Sequence, residues 1–175
     1  AAAFQRLTEI EALSAEQRLD MIGVVSKAIG FHGMVGGQAL DLAAEHQAVP
    51  ANALRDIHSL KTGALISAAA EVGAICGGAT RSQRDALVRF AKAIGLAFRV
   101  TDDVLDVTGD SASLGKTAGK DERAEKSTYV STLSLEGAQQ EANALLKEAL
   151  HALAEFGEAA EPLRALARKM VHRDT

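Results

Sequence analysis

The sequence predicts an all-α protein, a set of closely packed helices around an aliphatic core. Three observations carry this. Apolar residues recur at helical spacing through most of the chain, and no stretch alternates convincingly as a strand would. Apolar residues make up 47% of the 175, yet aromatic residues only 3%, so the interior must be built of Ala, Leu, Ile and Val. Alanine is abundant and the chain holds only two prolines, which suits helices that approach one another closely. A chain of this length fits one domain with a substantial core, and no fixed-period repeat is visible.

Taken in order, Phe4, Leu7, Ile10 and Leu13 are spaced for a helix over residues 4–13. Ser14-Ala15-Glu16-Gln17 reads as a capping box, with Ser14 at the N-cap and Gln17 at N3. It opens a helix over about 15–29, with Leu19, Ile22, Val25 and Ile29 on one face, and Gly30 ends or bends it. The next stretch, 31–47, holds Gly33, Gly36 and Gly37. A loop is one reading. The preferred one is a helix pressed against another backbone, because Leu42-Ala43-Ala44-Glu45 continues a helix smoothly. Gln38 and Asp41 then share a face, which also suits a solvated stripe, and His32 is expected to serve structure.

Pro50 starts a helix over 51–77. Within it, Lys61 and Thr62 interrupt an apolar track. A lysine mid-helix is ordinarily exposed or snorkelling. Followed by Thr62 and a small Gly63, it also presents donors to a phosphate. Ser82 is a candidate N-cap for the following helix. Beyond a loop at Gly109–Lys120 and a charged run at 121–129, a short helix reaches Leu135. Ser134 is the candidate cap of an amphipathic helix over 134–157, and Pro162 opens the last one. Nothing in 136–175 looks chemical.

The chemistry gathers at Phe98-Arg99-Val100-Thr101-Asp102-Asp103-Val104-Leu105-Asp106. On a helix, Asp102 and Asp106 drift only about 40° apart, and Asp103 lies about 100° round from Asp102. The lead-in, residues 86–100, is apolar almost all round. Three acids near the end of such a helix repel one another and are costly to desolvate. A cation would make the arrangement worthwhile, and magnesium, held by one or two carboxylates together with substrate phosphates, is the simplest. The same triplet also suits a solvated surface with no ligand, because short motifs match by chance. Gly109–Thr117 follows, a glycine-punctuated loop carrying Lys116, so acids and a basic loop together form a cradle for a metal-bound anion.

A net charge of −4 gives no hint of a nucleic-acid surface. The single cysteine, Cys76, cannot form an internal disulfide and sits in an apolar run. A buried thiol and a reducing cytoplasm are expected. No signal peptide is seen, and no stretch reads as apolar for long enough without charge to span a membrane.

Together, residues 36–42 (GGQALDL), 58–65 (HSLKTGAL), 94–98 (IGLAF), 101–110 (TDDVLDVTGD), 114–117 (LGKT) and 126–129 (KSTY) occur in the order found in trans-isoprenyl diphosphate synthases. The resemblance covers nearly the whole chain and is strongest to the bacterial farnesyl diphosphate synthase (geranyltranstransferase) branch. It implies an isoprenoid synthase-type helical bundle around a central cavity, usually homodimeric, of which residues 1–175 are the C-terminal portion of a single domain. It implies Mg²⁺ as cofactor, three ions in the complete enzyme, on the diphosphate of an allylic substrate. Asp102 would be the most direct metal ligand, with Asp103 and Asp106 acting partly through water. Lys61 and Lys116 would contact the diphosphate, with Lys126 nearby. Thr62 and Gln38 would line the reacting end, and Asp41 would support it.

Two departures stand out. The first aspartate-rich motif of the family is absent, so the chain holds half a metal site and is expected to turn over poorly alone. Where the family commonly has glutamine, this chain has Arg99, whose guanidinium would pair with Asp102, Asp103 or a phosphate. The implied reaction condenses isopentenyl diphosphate with dimethylallyl or geranyl diphosphate to give farnesyl diphosphate. The alternatives are a longer- or shorter-chain synthase, or a noncatalytic partner subunit of one.

Overall fold

Capping chemistry sets most of the helix boundaries in the structure, a computed structural model that describes residues 1–113 and 127–173. The first helix, α1 (Ala2–Thr8), stops short of the expected Leu13, because the chain turns at Glu9–Leu13 to deliver Ser14 to its own cap. The capping box is closed in both directions. Gln17 N–H donates to Ser14 Oγ at 3.1 Å, and Ser14 N–H donates to Gln17 Oε1 at 3.0 Å. Helix α2 (Ala15–Ile29) follows over the predicted span.

The glycine-rich segment forms a turn at Phe31–Gly33 and then a helix, α3 (Met34–Ala43). The expected close approach is real. A Cβ on Gly37 would lie 2.7 Å from Lys61 Cα and 2.8 Å from Leu60 C, so α3 rests directly on the backbone of another element.

That element is one continuous rod, α4 (Ala51–His58), a π-helical turn (Ser59–Gly63) and α5 (Ala64–Cys76). By length and composition alone Ala51–Cys76 is apolar enough to cross a membrane, although it is not free of charge. The charges at Arg55, Asp56, Lys61 and Glu71 are spread along the rod, so no single charge-free window stood out. Here it packs as a bundle helix between α2, α3 and the next helix. The thiol expectation changes. Cys76 is exposed at the end of the rod, its Sγ 3.8 Å from Met21 Sδ.

Helix α6 (Arg81–Ser113) is capped by Thr80 and not Ser82. Gln83 N–H donates to Thr80 Oγ1, and Thr80 N–H donates back to Gln83 Oε1 at 2.9 Å. It runs on to Ser113, so Asp102, Asp103 and Asp106 lie within the helix and not at its end. Helix α7 (Tyr129–Ala152) opens on a box between Thr128 and Ser131. It kinks at Ser134 (φ 70°), whose Oγ accepts from Gly137 N–H, so the short helix and the Ser134 cap both form. A 3₁₀ segment (Ala154–Ala160) leads into α8 (Glu161–Val171), with Pro162 in its first turn.

The buried face of α6 is the axis of the core. Phe90, Ala93, Ile94, Ala97, Val100 and Val104 pack against Ala138, Ala142, Leu145, Leu146 and Ala149 of α7 and against Ala167 and Val171 of α8. Alternating alanines let the helices close up, and each buried leucine contributes about 1.5–3 kcal/mol. On the other side Arg84 joins α6 to α2 and α5, reaching Asp20 at 2.6 Å and Glu71 at 2.7 Å. The Asp20 hydrogen bond, and then that of Glu71, raises the Arg84 pKa. Among the described residues no strand is present.

Candidate active site

The π turn presents Lys61. A π turn inserts a residue into the helical ladder and displaces the side chains around it. With α3 lying on the Leu60–Lys61 backbone through Gly37, Asp41 of α3 reaches Lys61, Oδ2 to Nζ 2.8 Å. Gln38, one turn before Asp41, and Thr62, next to Lys61, are both partly buried. The other side of the turn backs onto α6. A Cβ on Gly95 would lie 3.3 Å from Gly63 Cα, so two glycines set the spacing between the lysine-bearing turn and the acid-bearing helix.

One turn along α6 from Gly95 comes Arg99, and then the acids. Arg99 bridges two of them, Nη1 to Asp102 Oδ2 at 2.9 Å and Nη2 to Asp103 Oδ1 at 3.4 Å. Asp102 is partly exposed, and its other oxygen accepts from Arg173 Nη2. The Arg173 guanidinium lies over the Phe98 ring, 4.6 Å from its centroid. Asp103 points inward. It is 5% exposed, and its Oδ2 accepts the backbone N–H of Tyr129 at 2.8 Å. Burial pushes its carboxyl above the usual range, against the opposing pull of the Tyr129 hydrogen bond and Arg99. Asp106 is exposed, one turn beyond Asp102 on the same face.

His58 lies among these charges. Its ring is buried and stacks on Tyr129 with centroids 5.7 Å apart, and neither ring nitrogen has a hydrogen-bond partner. Burial, then Arg99, pushes His58 down to about 4, while Asp41, Lys61 and Asp102 also act on it. Burial likewise pushes the Tyr129 phenol up to about 12. Both groups are therefore neutral near pH 7.

The structure thus pairs Lys61 with Asp41, with Thr62 and Gln38 their neighbours on the turn and on α3, and joins Arg99, Asp102 and Asp103 in a second group on the helix that the turn packs against. Lys116 and Lys126 lie outside the described residues. The sequence reading missed Arg173 and the His58–Tyr129 stack. Residues 136–175 had looked free of chemistry, and only the fold brings position 173 beside position 102. Tyr129 stood in a quoted motif, but nothing local marked it as the neighbour of His58. The larger cavity, about 830 Å³, is lined by Val24, Leu60, Ala64 and Leu96 together with Lys27 and Arg55, and by none of the predicted site residues among those described. A smaller one of about 320 Å³ borders Thr101, Leu105, Thr108 and Arg173.

The donor set suits Mg²⁺. Asp102 and Asp106 supply hard oxygens from one helix face. Among the described residues, no group of three or more acidic, His or Cys side chains could enclose an ion. Mg²⁺ needs no such cage, because it keeps waters and shares its shell with phosphate oxygens.

Comparison with known proteins bears on the family and the fold. The family model described as polyprenyl synthetase matches residues 1–166. Farnesyl diphosphate synthase of Escherichia coli is 44% identical over 170 residues, 95% of this chain and 57% of the relative. A chloroplastic geranylgeranyl pyrophosphate synthase of Catharanthus roseus is also 44% identical, over 98% of this chain and 49% of its own length. The chain therefore spans about half the length of these relatives. Among solved structures, Helicobacter pylori geranyltransferase complexed with magnesium and isoprenyl diphosphate matches with a TM-score of 0.73 and 31% identity, over 97% of this chain and 54% of that one. With an all-helical bundle, a lysine-bearing turn and an aspartate-bearing helix packed together, and a family match across nearly its whole length, the chain belongs to the polyprenyl synthetase family.

Proposed function

We propose that the chain carries the diphosphate-activating portion of a prenyltransferase that condenses isopentenyl diphosphate with dimethylallyl or geranyl diphosphate. The observation that carries this is the packing of the Lys61 turn on the Asp102 helix through Gly63 and Gly95. Lys61, oriented by Asp41, donates to the departing diphosphate. Asp102 and Asp106 would hold Mg²⁺, which when bound would supply further positive charge beside the departing diphosphate. Asp103 acts chiefly by fixing the start of α7 through Tyr129 N–H. Gln38 and Thr62 flank the reacting end, and the neutral His58 adds no charge beside an allylic cation. Aliphatic walls keep water from that cation while the double bond of isopentenyl diphosphate attacks it. The proton then lost passes to the released diphosphate.

Farnesyl diphosphate is the proposed product. Geranylgeranyl diphosphate is the second reading, favoured by the equal 44% identity of the plant relative. The proposal includes a homodimer. Val35 and Leu42 are exposed on α3 and Phe31, 77% exposed, lies in the turn before it, and a second copy would cover this apolar patch. An unpaired, exposed Cys76 suits a reducing cytoplasm.

The test is calorimetric titration of inorganic diphosphate with Mg²⁺, followed by a prenyl-transfer assay with chromatographic sizing of the product. Metal-dependent binding that Lys61→Ala and Asp102→Asn both weaken is expected. Binding indifferent to both substitutions refutes the site. The 175-residue chain alone is expected to turn over little, since it holds a single aspartate-rich segment, and robust turnover refutes that part.

A further inference from the structure

Asp102, the carboxylate placed best for a metal, is already engaged on both oxygens. Arg99 holds Oδ2 and Arg173 holds Oδ1. The two guanidiniums are not held alike. Arg99 lies on the same helix as its partners and is shared between Asp102 and Asp103, so breaking one contact leaves the other. Arg173 comes from two residues past the end of α8, where His172 has already left helical geometry (φ −106°, ψ 30°). Besides Asp102 it touches the face of Phe98, and its Nε is buried without a partner. A guanidinium with one donor unpaired is held below its full hydrogen-bonding capacity. Arg173 is therefore the group that yields when a competing cation arrives.

We infer that Arg173 is a tethered counter-charge gating Asp102, so that a divalent metal reaches this carboxylate by displacing the C-terminal guanidinium while Arg99 stays in place. This rests on the metal reading of Asp102 given above. Its consequence is a metal site that is weak in the free protein. The ion must compete with a resident cation, and the exchange is coupled to release of the segment after α8. An incoming polyanion helps by offering the freed guanidinium another partner.

The test uses Mn²⁺ as a paramagnetic probe. Free Mn²⁺ is measured by electron paramagnetic resonance in titrations of the wild-type chain, Arg173→Gln, Arg168→Gln and Asp102→Asn, without diphosphate. Arg173→Gln should tighten binding about five-fold, as expected for loss of one partly exposed competing ion pair. Arg168→Gln, which removes the same charge from a surface pair with Glu161, should change nothing. Hydrogen exchange in residues 168–173 should rise on adding Mn²⁺ to the wild type and be high throughout in Arg173→Gln. Unchanged affinity in Arg173→Gln, or an equal gain in Arg168→Gln, overturns the gate. If Asp102→Asn binds Mn²⁺ as well as wild type does, the metal reading itself falls, and the gate with it. Binding sensitive to Asp102 but not to Arg173 sinks the gate alone.

Discussion

Gly37→Ala is the sharpest probe of how the lysine turn is held. The added Cβ would meet backbone only, 2.7 Å from Lys61 Cα and 2.8 Å from Leu60 C. Lys61 N lies nearer still, and ordinary contact begins at 3.4 Å, so α3 and the π turn must part by well over 0.7 Å. Neither neighbour is the end of a flexible side chain, so the shift falls on whole elements. Overpacking of this kind costs about 1–3 kcal/mol. Against it stands the gain of about 1 kcal/mol for alanine over glycine inside a helix. A net loss of roughly 0–2 kcal/mol is expected, together with a stretched Lys61–Asp41 contact. Gly23 and Gly73 supply the control, since a Cβ at either meets nothing within 4 Å. Their alanine variants should gain about 0.5–1 kcal/mol in urea denaturation. The comparison is therefore the gap between Gly37→Ala and Gly73→Ala, expected at about 1–3 kcal/mol. If Gly37→Ala is stabilised as much as Gly73→Ala, and diphosphate affinity is unchanged, the close packing of α3 on the turn is wrong.

Other expectations follow from the same groups. Lys61→Ala should lower prenyl transfer by about 10²–10³-fold, the scale of one lost electrostatic donor at a reacting centre, in the steady-state rate of the complete enzyme. His58 has a folded value of about 4 against an ordinary 6.5. In that interval the unfolded chain holds a proton that the folded one does not. Its contribution is whole above pH 6.5 and is lost as acid approaches pH 4, by up to about 3 kcal/mol. Asp103 works with the opposite sign, because its folded value lies above 3.8 and protonation there favours the folded state. Subtracting the stability–pH curve of His58→Phe from that of wild type isolates the histidine, and a flat difference between pH 4 and 6.5 defeats this account. At Asp103, asparagine keeps an acceptor for Tyr129 N–H and should be near neutral, whereas leucine orphans that N–H and should cost about 1–3 kcal/mol by thermal melting. Leu42→Lys in the exposed patch on α3 should shift a dimer toward monomer by analytical ultracentrifugation, with the helix content unchanged.

What the sequence made legible was whatever local rules control. Ser14, Pro50, Ser134 and Pro162 announce helix starts because an N-cap needs only a side chain and its own next turn. The close approach at Gly37 was readable because a glycine inside a continuing helix signals a missing Cβ. Ser82 reads as the cap in the sequence because it, like Thr80, is a hydroxyl preceding the same apolar run. Only the reciprocal bond with Gln83 separates them.

The site was legible as a set of residue types but not as a set of partnerships. The spacing of Asp102 and Asp106 gave their shared face correctly. No spacing rule could show that Asp103 turns inward, because its partner, the N–H of Tyr129, is 26 residues away. Arg173 is farther still from Asp102, 71 residues along the chain, and joins it only because α8 packs on α6. The π turn at Ser59–Gly63 was hidden for a related reason. Its residues are compatible with a plain α-helix, and the inserted register follows from wedging the turn between Gly37 on one side and Gly95 on the other. Gly63 and Gly95 set how closely the turn carrying Lys61 packs on the acid-bearing helix, and Gly37 how closely α3 packs on that turn. In this chain the chemistry of the site is therefore written in its charged residues, and its geometry in residues that have no side chain at all.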